Sequence, residues 1–307
     1  MLIRRFSIVF VCVAAALCAV PIVARGQIFQ ANANGFPGVG SIGEYNLDGT
    51  PINPSLLTGL YLPNGMVVSG SNLFVANAMS GGSGGGIGEY TTSGATVNVS
   101  LVPTGNFAGL AISGSDLFVA DRDNNTIAEY TTSGTLVNAS VVSGLNGPYG
   151  IAVSGSDLFV ANNGNGTIGE YTTSGATVNP SLISGLNNLL FVAVSGSNLF
   201  VQDLSGTVSK YTTSGTPESV PLLSGLPDPN DIALVGSDLF VVQGGPPGGG
   251  TIGEYTTSGA TVNPAIISGL YEPQFITVAT VPEPATLGLL AVGAAGLLMR
   301  RARRRVA

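Results

Sequence analysis

The chain has 307 residues, ten of them basic and seventeen acidic, with no histidine and no tryptophan. Between residues 27 and 280 only Arg122 and Lys210 are basic against sixteen acids, so that stretch carries a net charge of −14. A surface of this sign repels nucleic acid and anionic membranes, and the missing imidazole excludes a Ser-His-Asp triad and any histidine-ligated metal.

The first element is a leader. Arg4 and Arg5 precede the apolar residues 6–23, the charge-then-apolar order of a secretory signal peptide, with small residues at Ala24 and Gly26 suited to cleavage. Cys18 follows Leu17, where a lipoprotein signal carries a small residue, so lipidation is not expected. Removal of residues 1–26 takes Cys12 and Cys18 with it and leaves a chain without thiol or disulfide chemistry.

Residues 27–280 are a tandem array. A tyrosine preceded by Glu or Lys recurs at Tyr45, Tyr90, Tyr130, Tyr171, Tyr211 and Tyr255, a period of 40 to 45 residues. In the unit that spans 150–186, residues 151–153 form an apolar strand, and Ser154-Gly155-Ser156-Asp157 is turn chemistry. Strands follow at 158–161, 167–171 and 177–183, with a Thr172-Thr173-Ser174-Gly175 turn between the last two. The strands are apolar on both faces, which requires a neighbouring unit on each side.

Four strands per unit indicate a β-propeller. The first unit begins at residues 28–32, which correspond to 158–162, so its opening strand is absent there and stands at 274–278 instead. One blade completed from both ends closes a ring and removes its sheet edges. The expected fold is therefore an all-β, six-bladed propeller over 27–280, an open solenoid being the rival arrangement. The units resemble NHL and YVTN-type propeller repeats across this whole stretch. They also resemble streptogramin lyases, whose activity implies a histidine this chain lacks, and the tryptophan-rich quinoprotein propellers match poorly.

Loops between second and third strands share one end of a propeller with the blade-to-blade connections. Variation gathers there, in the glycine-rich residues 80–86 and 244–250 and in Tyr61, Pro63, Tyr149, Phe191, Asp228, Asp231, Tyr271 and Glu272. Tyr61, Tyr149, Phe191, Asp231 and Tyr271 are the expected ligand-binding residues, with rings to stack on sugars and a carboxylate to accept hydroxyl protons. A second pattern is one polar residue at each second-strand end: Asn32, Asn77, Asp121, Asn162, Asp203 and Gln243. Gluconolactonase-like propellers hold a metal with such oxygens inside the tunnel, which implies Ca2+ or another divalent ion here. The simpler account is that these residues close Asx turns, and it extends to the calcium-loop-like run Asp121-Arg122-Asp123-Asn124-Asn125. Glu44, Glu89, Glu129, Glu170 and Glu254 share one repeat position and read as a surface feature. Lys210 replaces them once, and a partner acid on a neighbouring blade is expected.

The last element is a tail. Val281-Pro282-Glu283-Pro284 leads into the uncharged residues 285–299 and then Arg300, Arg301, Arg303, Arg304 and Arg305. Fifteen helical residues span about 22 Å of a roughly 30 Å hydrocarbon core, and snorkelling arginines mark the cytoplasmic side. This order resembles the PEP-CTERM sorting tail. The resemblance implies export, a transmembrane precursor, processing by an exosortase-type membrane protease and association with exopolysaccharide in a Gram-negative-type envelope. The expected function is a non-enzymatic binding or scaffold protein of the cell surface or matrix. A metal-dependent hydrolase or lactonase and a surface-layer repeat protein are the alternatives.

Overall fold

The second strand of each repeat places a branched aliphatic residue next to a phenylalanine. Successive side chains of a strand point to opposite faces, so each blade pushes one apolar anchor toward each neighbour. In the computed structural model, which describes residues 25–33, 40–77 and 85–281, this pattern builds the core. Phe29, Phe74, Phe118, Phe159, Phe200 and Phe240 are all at most 1% exposed, as are Ile28, Leu73, Leu117, Leu158, Leu199 and Leu239 beside them.

The described residues form six antiparallel four-stranded sheets. Blade four shows the plan: an inner strand Pro148–Ser154, a second strand Asp157–Asn162, a third Thr167–Thr172 and an outer strand Thr177–Ile183. Blade one combines Arg25–Asn32, Gly40–Asn46 and Pro51–Leu60 with an inner strand from the far end, Pro273–Val281. The two ends pair in antiparallel register from Arg25↔Val281 to Ala31↔Phe275. Each inner strand also packs against the next around the ring, including Pro273–Val281 against Pro63–Ser69. The all-β six-bladed ring with a split blade is thus the fold. The leader expected at 1–26 and the tail expected at 281–307 lie outside the described residues, except for Arg25, Gly26 and Val281, which belong to the paired strands of blade one.

The end of the ring carrying the near-identical turns is tied together by backbone bonds. In blade four the Gly175 N–H donates to the Thr172 carbonyl, the Thr172 and Ser174 hydroxyls meet at 2.8 Å, and the Thr173 N–H donates to the Ser156 carbonyl of the adjacent turn. The same cross-turn bond recurs from Thr92, Thr132, Thr213 and Thr257. Gly175 has φ +91°, and a Cβ there would strike the Val141 carbonyl of the preceding blade, so glycine is required on two counts. These turns repeat because they are structural.

Two local features differ from the sequence reading. Inner strands begin earlier, at Pro148 rather than 151, because a bulge there inserts one extra residue while pairing continues. Lys210 pairs within its own blade, 2.8 Å from Glu218, not with a neighbouring one. Its register partner on the outer strand is Ser219, which places Glu218 beside it. The outer strand of blade four exposes its first five residues, and Val178 is 54% exposed where Phe159 is sealed between blades. Phe159→Ala should therefore cost about 3–5 kcal/mol in denaturant unfolding and Val178→Ser at most about 0.5 kcal/mol.

Candidate functional site

The inner-strand bulge occurs in every blade at the end where the connections and the second-to-third loops emerge. It re-aims two successive side chains at the start of each inner strand. The later of the two reads, around the ring from blade two, Gly65, Gly109, Gly150, Phe191, Asp231 and Phe275. The three glycines allow close approach of neighbouring backbones. A Cβ on Gly109 would lie 2.5 Å from the Tyr149 carbonyl, and one on Gly150 would lie 2.7 Å from the Leu190 carbonyl. The other half of the ring fills the space with two phenyl groups and a carboxylate.

These residues form one connected group. The rings of Tyr149 and Phe191 meet edge to face at 5.3 Å, and Phe191 meets Phe275 in the same manner at 5.5 Å. The Tyr149 hydroxyl donates across the ring to Asn64 Oδ1 at 3.3 Å, and the Arg122 guanidinium lies 5.1 Å over the Tyr149 ring. Asn64 and Asn230 each donate a side-chain N–H to the next blade's backbone, at Phe107 and Pro273, both at 2.9 Å. Below them a central cavity of about 420 Å3 is lined by inner-strand residues, among them Met66, Leu110, Ile151 and Ile232.

Asp231 is the one ionisable side chain on that lining among the described residues. Its Oδ1 accepts the Ile232 N–H at 2.7 Å and its Oδ2 accepts the Ile276 N–H of blade one at 2.9 Å, so the carboxyl bridges the blades where the ring closes. Burial pushes its pKa up to about 8, more than the two N–H bonds bring it down. Burial also raises the Tyr149 phenol, opposed by Arg122 and reinforced by Asp231.

Of the expected ligand-binding residues, the structure brings Tyr149, Phe191 and Asp231 together. Tyr61 and Tyr271 stand apart on the connections into blades two and one, half-buried and 42% exposed respectively, and neither lines the cavity. Asn64, Asn230 and Phe275 were not singled out from the sequence, and Arg122 figured there only within a loop run. Aligning the repeats at the start of the inner strand would have shown Asn64, Asn230 and Phe275 at positions that vary between blades, whereas Arg122 lies in a loop between second and third strands.

The polar residues at the second-strand ends are one strand removed from the cavity, and Asp121 and Asp203 close local turns. Asp121 accepts the N–H groups of Asp123 and Asn124 and the Asn124 amide. Asp203 accepts the Ser205 N–H, the Ser205 hydroxyl and the Thr207 hydroxyl. Asn162 donates to Thr167 at 3.4 Å, and Asn32 accepts from Gln30 at 3.1 Å and donates to Ser41. Asn77 is the equivalent residue of blade two, at the end of Asn72–Asn77. No cluster of three acidic ligands occurs among the described residues. The repeated glutamates face second-strand aspartates: burial and then Asp116, Asp157 or Asp238 raise Glu129, Glu170 and Glu254, while Glu89 accepts the Asn72 amide instead.

Residues 280–305 match the PEP-CTERM protein-sorting motif. No curated protein sequence matches the chain. Among solved structures, the chain is similar to one in a nidogen/laminin complex, at 16% identity, covering 83% of this chain and 98% of that one with a TM-score of 0.68. It is also similar to a functionally unknown protein from Desulfotomaculum acetoxidans DSM 771, at 18% identity, covering 83% and 90% with a TM-score of 0.55. A streptogramin B lyase structure matches at 21% identity over 72% of this chain and 70% of that chain, with a TM-score of 0.49. At these identities the first two likenesses bear on the fold alone.

Asp231 yields a pH prediction. Its unfolded carboxyl ionises near 4 and its folded one near 8, so the stability it contributes is complete below about 4 and is lost as pH rises from there through about 8. Unfolding free energy should fall by at least about 1 kcal/mol between pH 5 and pH 8, and Asp231→Asn should flatten that slope. A slope unchanged in the variant would remove Asp231 as its source.

Proposed function

We propose that the chain is a non-catalytic binding protein of the extracellular matrix, holding polysaccharide at the end of the ring where the repeats diverge. The PEP-CTERM motif marks it as an exported, exosortase-sorted protein of the cell surface. The observation that carries the binding role is the contrast between the two ends: one is built from five copies of the same bonded turn, the other from unlike connections around a cavity. Loops that vary on a constant frame are where recognition is placed. Tyr61 and the exposed Tyr271 offer ring faces at that end. Tyr149, Phe191 and Asp231 form the rigid floor beneath, their side chains already engaged with Arg122, Phe275 and Ile276. The missing histidine and the turn-bound carboxylates favour binding over hydrolysis.

A surface-layer role is the second reading, and one observation favours it. Ile52, Val97, Val99, Leu136, Val137, Val178, Val220 and Val262 expose apolar surface on outer strands all round the ring. Concentration-dependent assembly of the purified chain in sedimentation would support that reading over a monomeric binder.

The test of the binding role is retention of the full chain, purified in detergent, on the producing organism's exopolysaccharide, with and without a chelator. Chelator-insensitive retention is expected, and the double substitution Tyr61→Ala, Tyr271→Ala should weaken it about tenfold. Retention that the double variant leaves unchanged would remove both tyrosines from the site, and loss on chelation would favour the metal reading instead.

A further inference from the structure

Five of the six repeat tyrosines are buried, at 4–7% exposure, and Tyr130 of blade three is not. A difference lies two residues upstream. In blades one, two, four and six that position is Gly43, Gly88, Gly169 or Gly253, and the tyrosine ring lies back over it, so that an added Cβ would sit 2.7–2.8 Å from the ring. Blade three has Ala128 there. Blade five has Ser209 and its Tyr211 is still buried, so the side chain at this position does not by itself set the exposure. Tyr130 instead meets Phe107 edge to face at 6.5 Å, and Phe107 is the one phenylalanine that opens an inner strand.

Tyr130 lines a pocket of about 760 Å3 that also has Phe107, Asp121, Asp123, Asn124 and Ser140 in its walls; the equivalent groove of blade six, beside the buried Tyr255, is about 490 Å3. It belongs to blade three and the connection entering it, separate from the central cavity. Its chemistry is specific. Tyr130 and Phe107 supply aromatic surface. Asp121 is buried and takes the Asn124 amide, and Asp123 Oδ1 takes that of Asn106, so the acceptors offered at this end are Asp123 Oδ2 and the Asn124 side-chain carbonyl, and Ser140 adds a hydroxyl. Asp121 is near enough to Tyr130 that its charge adds to burial in raising the phenol. Arg122, the cation of this loop, is committed to Tyr149, so nothing positive in the walls offsets the two carboxylates. Such a pocket repels phosphate, sulfate and uronate and suits a polyhydroxylated ring that donates to carboxylates while one face lies on an aromatic.

We propose that the blade-three pocket binds one neutral pyranose unit, stacked on Tyr130 and hydrogen-bonded to Asp123, Asn124 and Ser140. This deepens the polysaccharide reading by naming the unit recognised, and it rests on that reading only for the biological source of the sugar.

The test is saturation-transfer NMR on the full chain in detergent with the methyl pyranosides of glucose, galactose and mannose, and with galacturonate as the anionic comparison. Transfer to at least one neutral pyranoside and none to galacturonate is expected, with Tyr130→Ala weakening binding about tenfold. No transfer to any of the three, or wild-type binding by Tyr130→Ala, would overturn the proposal. Should Tyr130→Ala fail to fold, Tyr130→Leu decides: it keeps apolar bulk in the wall and removes the aromatic face, so binding should weaken about tenfold, and binding at the wild-type level would overturn the proposal. Polysaccharide retention without pyranoside transfer would refute this pocket and leave the general binding role. Transfer without polysaccharide retention would uphold the pocket and refute that role.

Discussion

Antiparallel pairing of Arg25–Asn32 with Pro273–Val281 is the interaction on which the rest of the molecule depends. Each blade has both faces apolar, and the anchors on those faces are sealed only when a neighbour stands on each side. An open arc of six sheets would leave two such faces, and the edge of the strand from Arg25, in water. Closure supplies the last neighbour, encloses the central cavity, and brings Ile276 to the carboxyl of Asp231 at the junction.

The same constraint explains the unequal sides of the cavity. Where inner strands carry Gly65, Gly109 and Gly150, their backbones approach too closely for any side chain between them. Where they carry Phe191, Asp231 and Phe275, side chains occupy that room and reach one another and the next blade. A buried acid in this position is costly when ionised, and its two N–H donors offset only part of that cost. The ring therefore carries, at its closure point, a group whose protonation bears on its stability. Sequence symmetry is preserved at the turn end, where every bond is structural, and is broken at the other end, where side chains take on individual partners.

Blade number, strand order and the split blade were legible in the sequence because each rests on period: the tyrosine spacing, the aliphatic-phenylalanine pair, and an opening strand absent at one end and present at the other. The outer strand of blade four lies where its residues indicated. The bulges were not legible, since an extra residue is visible only when one strand is counted against its partner. The partner of Lys210 was missed because Glu218 interrupts the usual outer-strand pattern and so is local to one repeat. Asp121 and Asp203 looked available as ligands from residue type alone; the turn N–H groups and hydroxyls that hold them depend on loop geometry. Tyr130, the one repeat tyrosine that is not buried, packs on Phe107 instead, a difference in partners that residue class does not register.

Hydrogen exchange across the full chain tests ring closure most directly. Amides of Pro273–Val281 and Arg25–Asn32 should exchange only through the same global opening as those of Pro148–Ser154 and Asp157–Asn162, with equal free energies. Exchange of Pro273–Val281 at a distinctly lower free energy, with blade four still protected, would show an open array and contradict the closed ring.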